Sequence, residues 1–132
     1  MIVLDSSAVI AILKREPGAE RLRETALAAD ACHMSAASVL ESGMVALGLR
    51  GDAGANELDL LLLELGIEIV PFDAPQAAIA RAAFRRFGKG RHPASLNFGD
   101  CFAYALATHL DEPLLFTGED FARTDVAAAV GT

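Results

Sequence analysis

No apolar run in this chain approaches the roughly 18 residues that a membrane span needs. The greasiest window, Leu58–Leu65, is interrupted by Asp59 and Glu64. The N-terminus lacks the basic region and cleavage site of a signal peptide, because Asp5 falls inside the first apolar run. A cytoplasmic protein is expected. The two cysteines, Cys32 and Cys101, form neither a CxxC pair nor a zinc-type Cys/His cluster, so buried free thiols are expected. Cations are scarce too. Eleven Lys and Arg against 18 Asp and Glu leave a net charge of −7, which argues against a general nucleic-acid-binding surface. Internal repeats, linkers and low-complexity tracts are absent, and 132 residues suit one domain with a real core.

What is present is apolar material in short, alternating segments. Apolar residues make up 53% of the chain, so burial is assured and disorder is not expected. Ile2–Leu4 reads as a strand buried on both faces. Ser6 and Ser7 are N-cap candidates for a helix over residues 8–14, which stops near Pro17-Gly18. A second helix spans 19–29. Cys32-His33-Met34 is a weak strand, and Ser35 caps a helix over 36–49 that ends at Arg50-Gly51. That helix is apolar nearly all round, which predicts a buried helix, and Glu41 is its one charge before Arg50. Further helices are read at 53–65, closed by Gly66, at 75–87, closed by Gly88, and from Asn97 to about Leu110. Ile67–Val70 and Leu114–Phe116 read as strands, and Val126–Val130 as an edge strand or short helix. Strands separated by helices give a parallel sheet with helices on both faces, and ligands bind such sheets outside the C-terminal strand ends.

Four acids stand out against this frame. Asp5 ends the first strand, Asp120 follows the last apolar strand by a short turn, Asp100 opens a helix, and Glu41 lies within two turns of the start of another. Asp5, Glu41 and Asp100 are each the only acid in an otherwise apolar stretch. The fold class puts all four at one edge of the sheet. Each has a duller reading: Asp5 as a helix cap, Asp100 as a favourable charge in a first helical turn, Asp120 as a capping or solvated turn residue, Glu41 on an exposed helix face. Capping does not account for Glu41, however, and neighbouring carboxylates repel and raise one another's pKa. Hard divalent cations resolve that conflict. Carboxylate oxygens suit Mg²⁺ or Mn²⁺, and such sites bind substrate phosphate oxygens. The implied chemistry is metal-assisted phosphodiester hydrolysis.

A polyanionic substrate then needs cations at the rim. Five of the 11 basic residues, Arg81, Arg85, Arg86, Lys89 and Arg91, fall within eleven positions, and no acid occurs from Ala74 to Gly99. Arg81 and Arg85 are one helical turn apart and share a face. In an acidic chain this window reads as a nucleic-acid track rather than a merely solvated face.

Met1-Ile-Val-Leu-Asp-Ser-Ser-Ala, Ala37-Ser-Val-Leu-Glu-Ser, Leu96-Asn-Phe-Gly-Asp-Cys-Phe-Ala-Tyr-Ala-Leu-Ala and Leu114-Leu-Phe-Thr-Gly-Glu-Asp-Phe together resemble the motifs of PIN-domain ribonucleases, specifically the VapC toxins of bacterial toxin–antitoxin pairs. The resemblance covers essentially the whole chain, in the family's order and spacing. It implies a three-layer α/β/α PIN fold with a parallel sheet of about five strands, and Mg²⁺- or Mn²⁺-dependent endonucleolytic cleavage of RNA. It makes Asp5, Glu41 and Asp100 the principal acids and Asp120 the more variable fourth, with Asp125 a second candidate for that place. Ser7 and Thr117 become supporting hydroxyls and Asn97 a substrate contact. It further implies a homodimer, a VapB-type antitoxin that sends its C-terminal segment towards the acids, and a heterotetramer or larger assembly with it.

Two other classes compete. A haloacid-dehalogenase-like phosphatase needs an Asp-x-Asp after the first strand, and Ser7 stands at the second position; a receiver domain needs a lysine after a late strand, where Thr117 stands. A catalytically silent PIN-fold binding module would have lost acids, and all four are present.

Overall fold

The computed structural model describes residues 1–129. In chain order it comprises β1 (Ile2–Leu4), α1 (Ser6–Leu13), α2 (Ala19–Ala28), β2 (Cys32–Ser35), α3 (Ala36–Glu64), β3 (Ile67–Val70), α4 (Ala74–Phe87), α5 (Phe98–Leu110) and β4 (Leu114–Leu115), followed by a 3₁₀ turn at Phe121–Arg123. The sheet is parallel throughout, in the order β3-β2-β1-β4. It has four strands where the sequence leads one to expect about five. The expected segment at Val126–Val130 makes only an isolated bridge, Leu114 to Ala128, and Val130 lies outside the described residues.

β1 is a central strand, and its three residues divide between two cores by the two-residue period of a strand. Ile2 and Leu4 pack with Val9, Ile12, Met34, Leu58, Leu61 and Leu115 beneath α1–α3, while Val3 packs with Phe87, Leu96, Tyr104, Leu106, Leu114 and Phe121 beneath α4 and α5. Helices therefore cover both faces. Cys32 and Cys101 are buried free thiols, one in each core.

Two local expectations change. The cap of α1 is Asp5 itself, not Ser6 or Ser7. Asp5 has extended backbone angles and its carboxylate accepts from the Ser7 amide, so both serines lie inside the helix. The helix expected to be buried is α3, and its outer face is open: Leu40 is 66% exposed, Met44 67% and Leu47 52%. Only a narrow stripe, including Ser38, Ser42 and Ala46, is buried. The break expected at Arg50-Gly51 is present: both residues leave helical backbone angles, and α3 consists of two helices that meet there at a kink. Gly51 has φ 57° and ψ −141°, a combination that requires glycine.

Candidate metal-binding site

Asp5 sits where β1 hands over to α1. Its amide donates to the Leu115 carbonyl of β4, so the strand pairing fixes its position. The residue is 2% exposed. Oδ2 accepts from the Ser7 amide at 3.0 Å, while Oδ1 is buried with no hydrogen-bond partner. Burial pushes its pKa up to about 6; hydrogen bonds from Ser7 oppose this, and the nearby charges of Asp100 and Glu41 add to it.

Asp100 approaches from α5. Asn97 caps that helix: its side chain accepts from the Asp100 amide at 2.9 Å, and its own amide donates to Asp100 Oδ2 at 3.0 Å. This reciprocal box fixes the backbone at the start of α5. Asp100 thus serves the helix end and the acid cluster together. Burial raises its pKa, the Asn97 amide opposes that, and Asp120 and Glu41 raise it further. Asp120 is exposed, at the start of the 3₁₀ turn, so it flanks the cluster from the solvent side. Asp125, the other candidate for that place, is engaged elsewhere. The Tyr104 hydroxyl donates to it and Arg86 pairs with it at 3.1 Å.

Glu41 reaches the same place from α3. Ser6 Oγ donates to Glu41 Oε1 at 2.6 Å, a contact between residues 35 apart in sequence. The carboxylate also lies against Gly99 of α5. Neither partner is legible in the sequence, since Ser6 reads as a cap and Gly99 as part of a helix opening. Ser7 Oγ accepts from the Thr117 amide at 3.1 Å. Ser7 therefore holds the turn that carries Asp120, while Thr117 contributes through its backbone.

Among the described residues no three carboxylate, histidine or cysteine side chains stand, as they are arranged, where they could hold a metal ion together. The donor set nonetheless fits a hard cation. It offers oxygen donors from three elements and one orphaned buried oxygen, and mutual repulsion helps raise the proton affinity of Asp5 and Asp100. The basic window sits on α4 and the loop after it. Arg81, Arg85, Arg86 and Arg91 line one open depression of about 660 Å³. Lys89 and Arg81 line a neighbouring groove with Asn97, Phe84, Phe98 and Phe102.

Residues 2–127 match the family described as PIN domain. A protein named Ribonuclease VapC from Mycolicibacterium smegmatis is 53% identical over 128 residues, covering 96% of this chain and 98% of that one. Two solved structures share the fold. The Mycobacterium tuberculosis toxin VapC20, described as cleaving the sarcin-ricin loop, superposes with a TM-score of 0.78 at 13% identity, over 96% of this chain and 97% of that one. VapBC2 from Rickettsia felis, bound to a DNA fragment from its promoter, gives 0.75 at 16% identity, over 97% and 96%.

Proposed function

The chain belongs to the PIN-domain family, among the VapC ribonucleases, and on that premise we propose that it is a divalent-metal-dependent endoribonuclease toxin restrained by a cognate VapB-type antitoxin. The observation that carries the metal assignment is the orphaned Oδ1 of Asp5, a buried carboxylate oxygen without a donor, in a cluster whose other members are also acids. An unpaired buried charge is costly, and coordination to a cation offsets that cost.

Asp5 and Asp100 would hold the principal Mg²⁺ or Mn²⁺, with Glu41 joining directly or through water and Asp120 completing the set from outside. A bound divalent cation supplies Lewis acidity towards the phosphodiester and its attacking water. The protein's own groups do the rest. Ser6 fixes Glu41 Oε1, which holds the carboxylate in place to orient the attacking water and accept its proton. Asn97 is exposed, and its carbonyl oxygen is engaged by the helix cap. Its amide NH₂ faces no such demand and can donate to a substrate phosphate. The arginines of α4 and Arg91 would dock flanking phosphates, with Lys89 at the Asn97 end.

RNA is the substrate class. A VapB-type partner is supported by the VapBC assembly among proteins of the same fold, and a homodimer and a heterotetramer or larger assembly follow from the same reading. No helix among the described residues is long and apolar enough to cross a membrane, which accords with a cytoplasmic location. The deciding experiment incubates structured RNA with the purified protein and with Asp5→Asn, with and without Mn²⁺. Cleavage only by the parent and only with metal is expected. Cleavage that survives EDTA or the substitution overturns the assignment.

A further inference from the structure

Gly99 is the residue before Asp100, in the first turn of α5. Its backbone is outside the left-handed region, so conformation does not ask for glycine, and glycine is the poorest helix former after proline. Gly43 and Gly48, in α3, show what a glycine without steric purpose looks like: a Cβ on either would meet nothing within 4 Å. A Cβ on Gly99 would stand 2.2 Å from Glu41 Oε2, 2.8 Å from Cδ and 2.9 Å from Oε1. All three neighbours belong to one carboxylate. On another side the same carboxylate is held by Ser6 Oγ at 2.6 Å.

We propose that Gly99 is a positioning residue for Glu41: its missing side chain leaves the recess that seats the Glu41 carboxylate against α5, beside Asp100. The seat has two components, a hydroxyl from α1 and an empty volume from α5. Together they select one rotamer of a long side chain that would otherwise sample several. The carboxylate thereby stays close enough to Asp5 and Asp100 to be felt by both. The role in cation binding rests on the nuclease reading above; the seating of the carboxylate does not.

Gly99→Ala tests both parts, with Gly48→Ala as control. In a crystal structure of Gly99→Ala, the Glu41 carboxylate is expected outside the recess and beyond hydrogen-bonding distance of Ser6. The rise in melting temperature produced by Mn²⁺ is expected to fall by about half or more. In a Glu41→Ala background, adding Gly99→Ala should change that rise no further, and Gly48→Ala should leave it as in the parent. A carboxylate still seated against residue 99 overturns the proposal. So does an equal loss in the Glu41→Ala background, because the glycine would then act through the helix rather than through Glu41. If the parent itself shows no Mn²⁺-linked rise, the metal reading fails while the crystal structure still decides the seating. If Gly99→Ala does not fold, the same substitution with Glu41→Asp is expected to, since the shorter arm withdraws from the recess. Misfolding of that pair also overturns the proposal.

Discussion

Ser6 Oγ donates to Glu41 Oε1 at 2.6 Å, joining the first turn of α1 to the second turn of α3. One hydroxyl thus aligns two elements around the acids. A hydrogen bond to a charged group contributes about 1.5–3 kcal/mol, and a loss of about 1.4 kcal/mol from transition-state positioning is tenfold in rate. Ser6→Ala is expected to lower the rate of RNA cleavage by about tenfold or more, with little change in RNA affinity. Single-turnover kinetics on a short RNA checks this; an unchanged rate would remove Ser6 from the positioning of Glu41.

Asp5 gives the protein a pH signature. Its folded-state pKa, about 6, lies above its ordinary value of 3.8 because burial disfavours the charged form. The folded state therefore binds the proton more tightly than the unfolded state does. That favours folding at acid pH, and the advantage is lost as pH rises from the ordinary value through about 6. A shift of this size corresponds to roughly 3 kcal/mol. Asp5→Asn is expected to melt higher than the metal-free parent at pH 7 and to flatten the stability profile between about pH 4 and 6, as read by denaturant titration in EDTA.

Asp100 needs a gentler substitution than alanine, because it closes the capping box with Asn97. Removing a cap costs about 1 kcal/mol and would mask the relief of repulsion. Asp100→Asn keeps an acceptor for the Asn97 amide and removes the charge. The metal-free form is expected to be as stable as the parent or more so, with a smaller Mg²⁺-linked gain in calorimetry. Equal gains in the two proteins would argue against Asp100 as a ligand.

The basic face is best tested away from Arg86, which is paired with Asp125. Arg85→Glu with Arg91→Glu is expected to weaken RNA binding and to flatten its salt dependence by roughly 0.7 for each phosphate no longer neutralised, while Mn²⁺-linked stabilisation is kept. An unchanged salt slope would take these residues out of the RNA track.

The alternation of elements, the parallel sheet and the order of the four acids are legible in the sequence, since periodicity, Gly and Pro punctuation and isolated charges are local signals. The contacts that seat the acids are not. Ser6 meets Glu41 35 positions on and Ser7 meets Thr117 110 positions on, and no local pattern announces such pairs. The α3 helix misleads for a related reason. Its composition reports hydrophobicity without saying which side is covered, and Leu40, Met44 and Leu47 are exposed. From sequence Asp5 reads as cap or ligand. It is a cap through Oδ2, which leaves Oδ1 for the other role.

The bond from Ser7 to Thr117, 110 residues apart, bears on synthesis. Asp5 leaves the ribosome long before Leu115, whose carbonyl holds its amide. The turn bearing Asp120 comes later still. A nascent chain carries Asp5 and Glu41 well before Asp100 exists to join them. The full set of acids is therefore complete only after the turn at Thr117 has been made.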